Sequence, residues 1–283
     1  MEILSLRPVA PLTDAVLVVA LDGWVNAGEA GTRAAEVLAA DGEVIATADP
    51  DALFDYRANR PLVDFSEGVL SSVEWPHLSV RLRPDAGRPL VVVTGSEPNW
   101  NWRKLGRELA EMAVRLGVAH HVSIGGIPWA TPHTRPVTVI QTASAPDLLD
   151  PGLEHPEGLL RVPASAVTTL ELDIADAGIP TVGFWARVPH YVGVTYHAAS
   201  LALVERVAAY LGVEASTESL AMAAAEQRTQ LDAVTQARPE VQEMVSQLEL
   251  LVDQQGVVSG EQLAAEIERF LREAGGEGRS GSA

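Results

Sequence analysis

The chain has 283 residues, no cysteine and a formal net charge of −18. These facts exclude disulfides, thiolate metal sites and cysteine nucleophiles, and they argue against nucleic acid as a partner, which needs clustered positive charge to displace counterions. Apolar residues make up 47% and charged residues 20% of the composition, near the globular average, so a sizeable core is expected in one large α/β domain with a smaller addition.

Residues 1–9 lack the apolar stretch and cleavage site of a secretory signal, and no run reaches the roughly 18 apolar residues of a membrane span. A soluble cytoplasmic protein without membrane contact is expected. The single lysine, Lys104, has the surroundings of neither a Schiff-base nor a P-loop lysine.

Residues 15–21 (AVLVVAL) form a continuous β-branched run ended by Asp22-Gly23, as suits a strand buried on both faces. A helix should follow, capped by Asn26 with Glu29 closing a capping box, and its small residues should let it approach the sheet. Short strands are expected at residues 44–47 and 78–83. The strand–loop–helix pattern returns at residues 89–94, where the helix carries Leu105, Leu109, Met112, Ala113 and Leu116 on one stripe and stops at Gly117. A third strand at 119–124 runs through Gly125-Gly126 into a proline-rich loop, 127–136, and a strand follows at 137–142. A fourth unit has a strand at 180–186, a loop at 187–194 and a helix at about 195–211. Strands alternating with helices imply a three-layer α/β fold around a largely parallel or mixed sheet.

After residue 213 the strand signals end. Residues 214–274 read as a helical appendage, with one stripe on Val241, Met244, Val245, Leu248, Leu251 and Val252, and a last helix capped by Ser259 and Gln262. Residues 275–283 are rich in glycine and serine and are expected to be a disordered tail.

In open α/β sheets ligands bind beyond the carboxyl ends of the strands. Four loops should leave such ends: 22–26 (DGWVN), 95–100 (GSEPNW), 125–135 (GGIPWATPHTR) and 187–191 (RVPHY). Their tryptophans and histidines are unusual for connecting loops. The candidate ligand-binding residues are Asp22, Gly23, Trp24, Asn26, Glu97, Trp100, Gly125, Gly126, Thr131, His133, Arg135, His190 and Tyr191. Several have a structural alternative: the aromatics as core, His133 as a structural hydrogen-bonding group between two prolines, and Glu97 as the cap of the following helix. No Gly-x-Ser-x-Gly elbow, His-Glu-x-x-His, P-loop or dinucleotide fingerprint is present. His120 and His121 should face opposite sides of a strand, and neither a metal nor a cofactor is expected.

The blocks 54–61 (FDYRANRP), 95–100 (GSEPNW), 125–137 (GGIPWATPHTRPV) and 183–191 (GFWARVPHY), in this order, resemble those of the proteasome assembly chaperone 2 family, and the C-terminal helical addition is similar to that of its bacterial members. The resemblance covers about residues 16–211. It implies a fold akin to purine nucleoside phosphorylases and related hydrolases, and self-assembly for which a trimer is the suggested form. Eukaryotic relatives act in proteasome-ring assembly. The hydrophobic-Tyr-x tail of some archaeal relatives is not matched by Ser280-Gly281-Ser282-Ala283, so docking through the C-terminus is not expected. A non-catalytic assembly or protein-interaction factor is the first reading, with self and another protein as partners. The alternatives are a nucleoside-like ligand-binding protein or phosphorylase/hydrolase-like enzyme that stacks its ligand on Trp24 and Trp100, and an oligomer interface built from the tryptophan loops.

Overall fold

The computed structural model describes residues 2–254. Its elements are β1 (Leu4–Leu6), β2 (Ala15–Asp22), α1 (Ala30–Leu38), β3 (Glu43–Ala48), α2 (Pro50–Leu53), β4 (Leu62–Ser66), β5 (Val69–Glu74), β6 (Leu78–Ala86), β7 (Arg88–Ser96), α3 (Trp102–Leu116), β8 (Val118–Trp129), β9 (Val139–Ala143), α4 (Ala166–Asp176), β10 (Thr181–Pro189), α5 (His197–Leu211), α6 (Glu218–Ala237) and α7 (Pro239–Gln254).

Eight strands form one sheet in the order β1-β3-β6-β7-β2-β8-β10-β9. The four central strands, β7-β2-β8-β10, are parallel, and the flanking pairings are antiparallel. β2 sits at the centre and shows why its sequence is an unbroken apolar run. Ala15, Leu17, Val19 and Leu21 face a core shared with α3 and α4, whereas Val16, Val18 and Ala20 face one shared with α1 and α5. The result is a three-layer α/β fold with two cores, and every residue of the strand up to Leu21 is buried.

α6 and α7 follow as helices outside the sheet layers. α6 packs on α5 and α7 on α6, and burial is confined to Leu220 on α6 and to Val245 and Leu248 on α7. The helix expected after Gly256, with its Ser259–Gln262 cap, and the glycine-rich tail lie outside the described residues.

Several boundaries differ from expectation for identifiable reasons. The helix expected to start at Asn26 is interrupted, because Gly28 adopts a positive φ of 61° and closes a separate 3-10 turn; α1 begins only at Ala30. β8 runs on to Trp129 through part of the expected proline-rich loop. Beyond Gly126 it pairs with β10 alone, in register to Pro189↔Trp129, so Pro128, which lacks an N–H, is accommodated. The hairpin β4–β5 and helix α4 were not expected at all.

Candidate functional site

The carboxyl ends of β2, β7, β8 and β10 lie side by side, as the sequence predicts, and the loops that leave them are bound to one another. The segment after β2 folds back on β8: Asn26 bridges Gly126, and the Gly126 N–H donates to the Val25 carbonyl at 2.8 Å. A Cβ on Gly125 would stand 2.3 Å from the Val25 oxygen and one on Gly126 2.2 Å from the Ala27 oxygen. The two glycines therefore admit the backbone of residues 25–27 at close range. Asn26 is buried; its Oδ1 accepts from the N–H groups of Gly31 and Thr32, both at 3.1 Å, and its Nδ2 donates to Asp22 and Thr32. It thus satisfies the first turn of α1 across the intervening 3-10 turn. Glu29 has left-handed backbone and forms no capping box; its carboxylate accepts from Thr195 instead.

Glu97 is a clasp between three elements. One carboxylate oxygen accepts from the Trp24 N–H at 2.9 Å and the other from the Ala166 N–H at 2.6 Å. Ala166 opens α4, so Glu97 satisfies an orphan donor there, where its charge also complements the helix dipole. It does not cap α3, the helix that follows it in sequence. Trp24 and Trp100 are 44% and 51% exposed, whereas Trp129 and Trp185 are buried. The three tryptophans of the four loops therefore divide into two surface residues and one core residue, with Trp185 of β10 a second core residue beside them.

The proline-framed loop 131–136 is gripped by the C-terminal helices. His133 is buried; its Nδ1 lies 2.7 Å from the Tyr191 hydroxyl and its Nε2 3.2 Å from Asp232 of α6. With the Tyr191 O–H donating to Nδ1 and the Nε2–H donating to Asp232, the network fixes a neutral ring. Burial pushes the His133 pKa down, against the pull of Asp232, and it pushes the Tyr191 hydroxyl up to about 12. Arg228 ties the same loop to α6 through the His133 carbonyl at 2.8 Å. Arg135 makes a two-pronged contact with Asp253 of α7, at 2.9 and 2.7 Å, and a third with Glu249. Thr131 is buried, with its N–H on the Trp129 carbonyl, and exposed His190 bonds that same carbonyl.

Replacement of Arg135 by alanine is expected to free α7 while leaving the sheet intact, because Val245 and Leu248 are then the main anchors of that helix. Hydrogen exchange should show lost protection across Pro239–Gln254 with unchanged protection in β2. Equal loss in both would refute the clasp.

These candidates do not share one cavity. Asp22 lines a polar cleft of about 490 Å³ with Arg33, Arg60, Glu74, Trp75 and His77. Gly23 and Trp24 border an apolar cavity of about 620 Å³ on the opposite flank. His133 and Arg135 border a third space, of about 500 Å³, beneath α6. No group of three or more His, Asp or Glu side chains among the described residues is placed to hold a metal ion, and no described helix is long and apolar enough to cross a membrane.

The second of these cavities contains a residue that the strand-end reasoning missed. Glu171 of α4 lines it, and its Oε1 is buried with no hydrogen-bond partner among the described residues. Burial pushes this carboxyl up to about 7, while a hydrogen bond with Ser123 acts in the opposite direction. The signal was present in the sequence: Val167, Leu170 and Ile174 are the buried stripe of α4, and Glu171 occupies the i+4 place in that stripe.

No curated protein matches the chain. Among solved structures it is similar to a protein of unknown function from Mycobacterium tuberculosis, at 35% identity and a TM-score of 0.84 over 96% of each chain. It is similar to a PAC2 family protein from Streptomyces avermitilis at 34% identity and a TM-score of 0.72, covering 82% of this chain and 100% of the other. A proteasome-assembly chaperone homologue from Mycobacterium tuberculosis is 34% identical, with a TM-score of 0.73 over 81% of this chain and 99% of its own. The family model described as the PAC2 family matches residues 20–235, from the carboxyl end of β2 through most of α6, a range that includes the strand-end loops. The chain belongs to the PAC2 family.

Proposed function

We propose that the chain is a non-catalytic protein-interaction factor of the assembly-chaperone kind, and that it works as a homo-oligomer joined through the hairpin β4–β5. The observation that carries this reading is the hairpin itself. Among the described residues its strands pair only with each other, and every residue in both is exposed, with Leu62 at 67%, Phe65 at 68% and Val69 at 68%. A free two-stranded ribbon is marginally stable in water, and a contiguous apolar surface of this kind marks a contact with another protein. The polar groups at the strand ends favour the same reading, since Asn26, Glu97, His133 and Arg135 all have partners within the chain.

A trimer is the assembly we propose, and a proteasome subunit is the class of second partner, by likeness to the 34%-identical mycobacterial homologue. The test is mass in solution by light scattering, comparing the natural chain with a Phe65→Ser/Leu70→Ser variant. Both side chains face solvent, so the variant should fold and run at the 30.1 kDa of one chain, whereas the natural chain runs at three times that mass. A monomeric natural chain, or an unchanged assembly in the variant, would overturn the hairpin as the joint. Retention of purified proteasome α-subunits by the natural chain tests the second partner.

A further inference from the structure

An apolar cavity lies beside α4. Its floor is the sheet face presented by Ile127, Ile140 and Trp185, one wall is α4, and the other is the chain at residues 156–165, including Leu160 and Val162. Trp24 and Leu172, 44% and 68% exposed, stand at its mouth. Its volume, about 620 Å³, falls within the usual range of small-molecule pockets. Glu171 is the one ionisable side chain among the described lining residues. Gly183 lets the carboxyl lie close against β10, since a Cβ there would come within 2.8 Å of Oε1 and 2.4 Å of the Thr142 hydroxyl. That hydroxyl also accepts from the Trp185 indole N–H at 2.9 Å.

We propose that this cavity binds a small organic ammonium compound with an aromatic or branched apolar body, its nitrogen hydrogen-bonded to Glu171. The charge balance selects this class. An anion would be buried beside a carboxylate with no basic side chain among the described residues of the wall to offset it, and a plain hydrocarbon would leave Oε1 without a partner. An ammonium supplies both the donor and the charge, while Trp185 and Trp24 offer aromatic faces to the rest of the molecule. The site is separate from the hairpin and does not depend on how the chain assembles.

The experiment titrates the full-length chain by calorimetry with 2-phenylethylamine, 2-phenylethanol and phenylacetate, which share one apolar body and differ in charge. The amine should bind most tightly, the alcohol more weakly and the acid not at all. Glu171→Gln keeps the shape of the side chain and should weaken the amine by about tenfold or more, the loss expected for one charge-assisted hydrogen bond, while leaving the alcohol unchanged. Leu160→Trp, in the wall outside the strands and helices, should fill the cavity and abolish binding of both. Absence of amine binding, acid binding as tight as that of the amine, or an unchanged amine affinity in Glu171→Gln would each overturn the proposal. Retained alcohol binding in Glu171→Gln shows that the variant is folded at the site.

Discussion

Acidification from pH 6.5 to 3 is expected to remove about 5 kcal/mol of folding stability through His121 alone, given the worth of each pKa unit. The ring is fully buried in β8, and burial drives its pKa down to about 3 from the model-compound value of 6.5. Thr181 donates its hydroxyl proton to the Ile179 carbonyl at 3.0 Å, so its oxygen accepts from His121 Nδ1 at 3.3 Å. The other ring nitrogen faces Ser123 at 3.4 Å. No carboxylate among the described residues touches the ring directly to stabilise an imidazolium. The folded pKa lies below the unfolded one, so the unfolded chain takes up the proton first as pH falls. Stability is therefore intact above about pH 6.5 and declines as pH drops towards 3. Urea unfolding of the natural chain and of His121→Asn across this range provides the test. The cavity left by the substitution lowers stability at every pH, so the informative quantity is the gap between the two proteins, which should close by about 5 kcal/mol on acidification. A gap independent of pH would refute the assignment.

Glu171 is expected to act in the opposite direction. Its folded pKa of about 7 lies above the ordinary carboxyl value of 4.5, so the folded chain holds the proton more tightly than the unfolded one. The neutral form is favoured below pH 4.5, and stability is lost as pH rises from there to 7, by about 3 kcal/mol on the same conversion. Glu171→Gln removes the buried charge without changing the shape. It should stabilise the protein by about that amount at pH 8 and have almost no effect at pH 4. Equal effects at the two pH values would mean that the carboxyl is not desolvated. Ser123 contacts both Glu171 and His121, so the two titrations should be coupled. A double variant should depart from the sum of the single ones, because a charge on either group eases formation of the opposite charge on the other.

The parallel core of the fold is legible because burial on both faces writes itself as unbroken runs, as in residues 15–21 and 89–94. The cap at Gly117 is legible for the same kind of reason: a left-handed residue after an amphipathic stripe, here with φ 75°, calls for glycine. The hairpin is illegible by the same logic. Neither of its faces is buried by the described residues, so residues 62–74 carry no inside-outside alternation, and its turn uses Glu67-Gly68, at φ 51° and 83°, in place of the stronger Asn-Gly or Asp-Gly signal. Helix α4 is hidden by its β-branched residues Val167, Thr168, Thr169 and Ile174, which lower helix propensity. Its Ser165 cap pairs with Thr168 in place of Glu or Gln, which weakens the usual start signal. Missing α4 meant missing Glu171.

The strand-end residues show a different limit. Proximity of the loops follows from topology, which alternating strands and helices reveal. Which polar groups remain available there depends on partners far along the chain, such as Asp232 for His133, Asp253 for Arg135 and Ala166 for Glu97. No local pattern encodes those pairings.

The exposed ribbon β4–β5 has a consequence for how this protein is measured. If copies cover one another's Phe65, Leu70 and Val69, part of the apolar burial that holds the fold together is supplied by mass action. The melting temperature then rises with protein concentration, and dilution loosens the ribbon before the sheet. Stability becomes a property of the population of chains in solution as well as of the single chain.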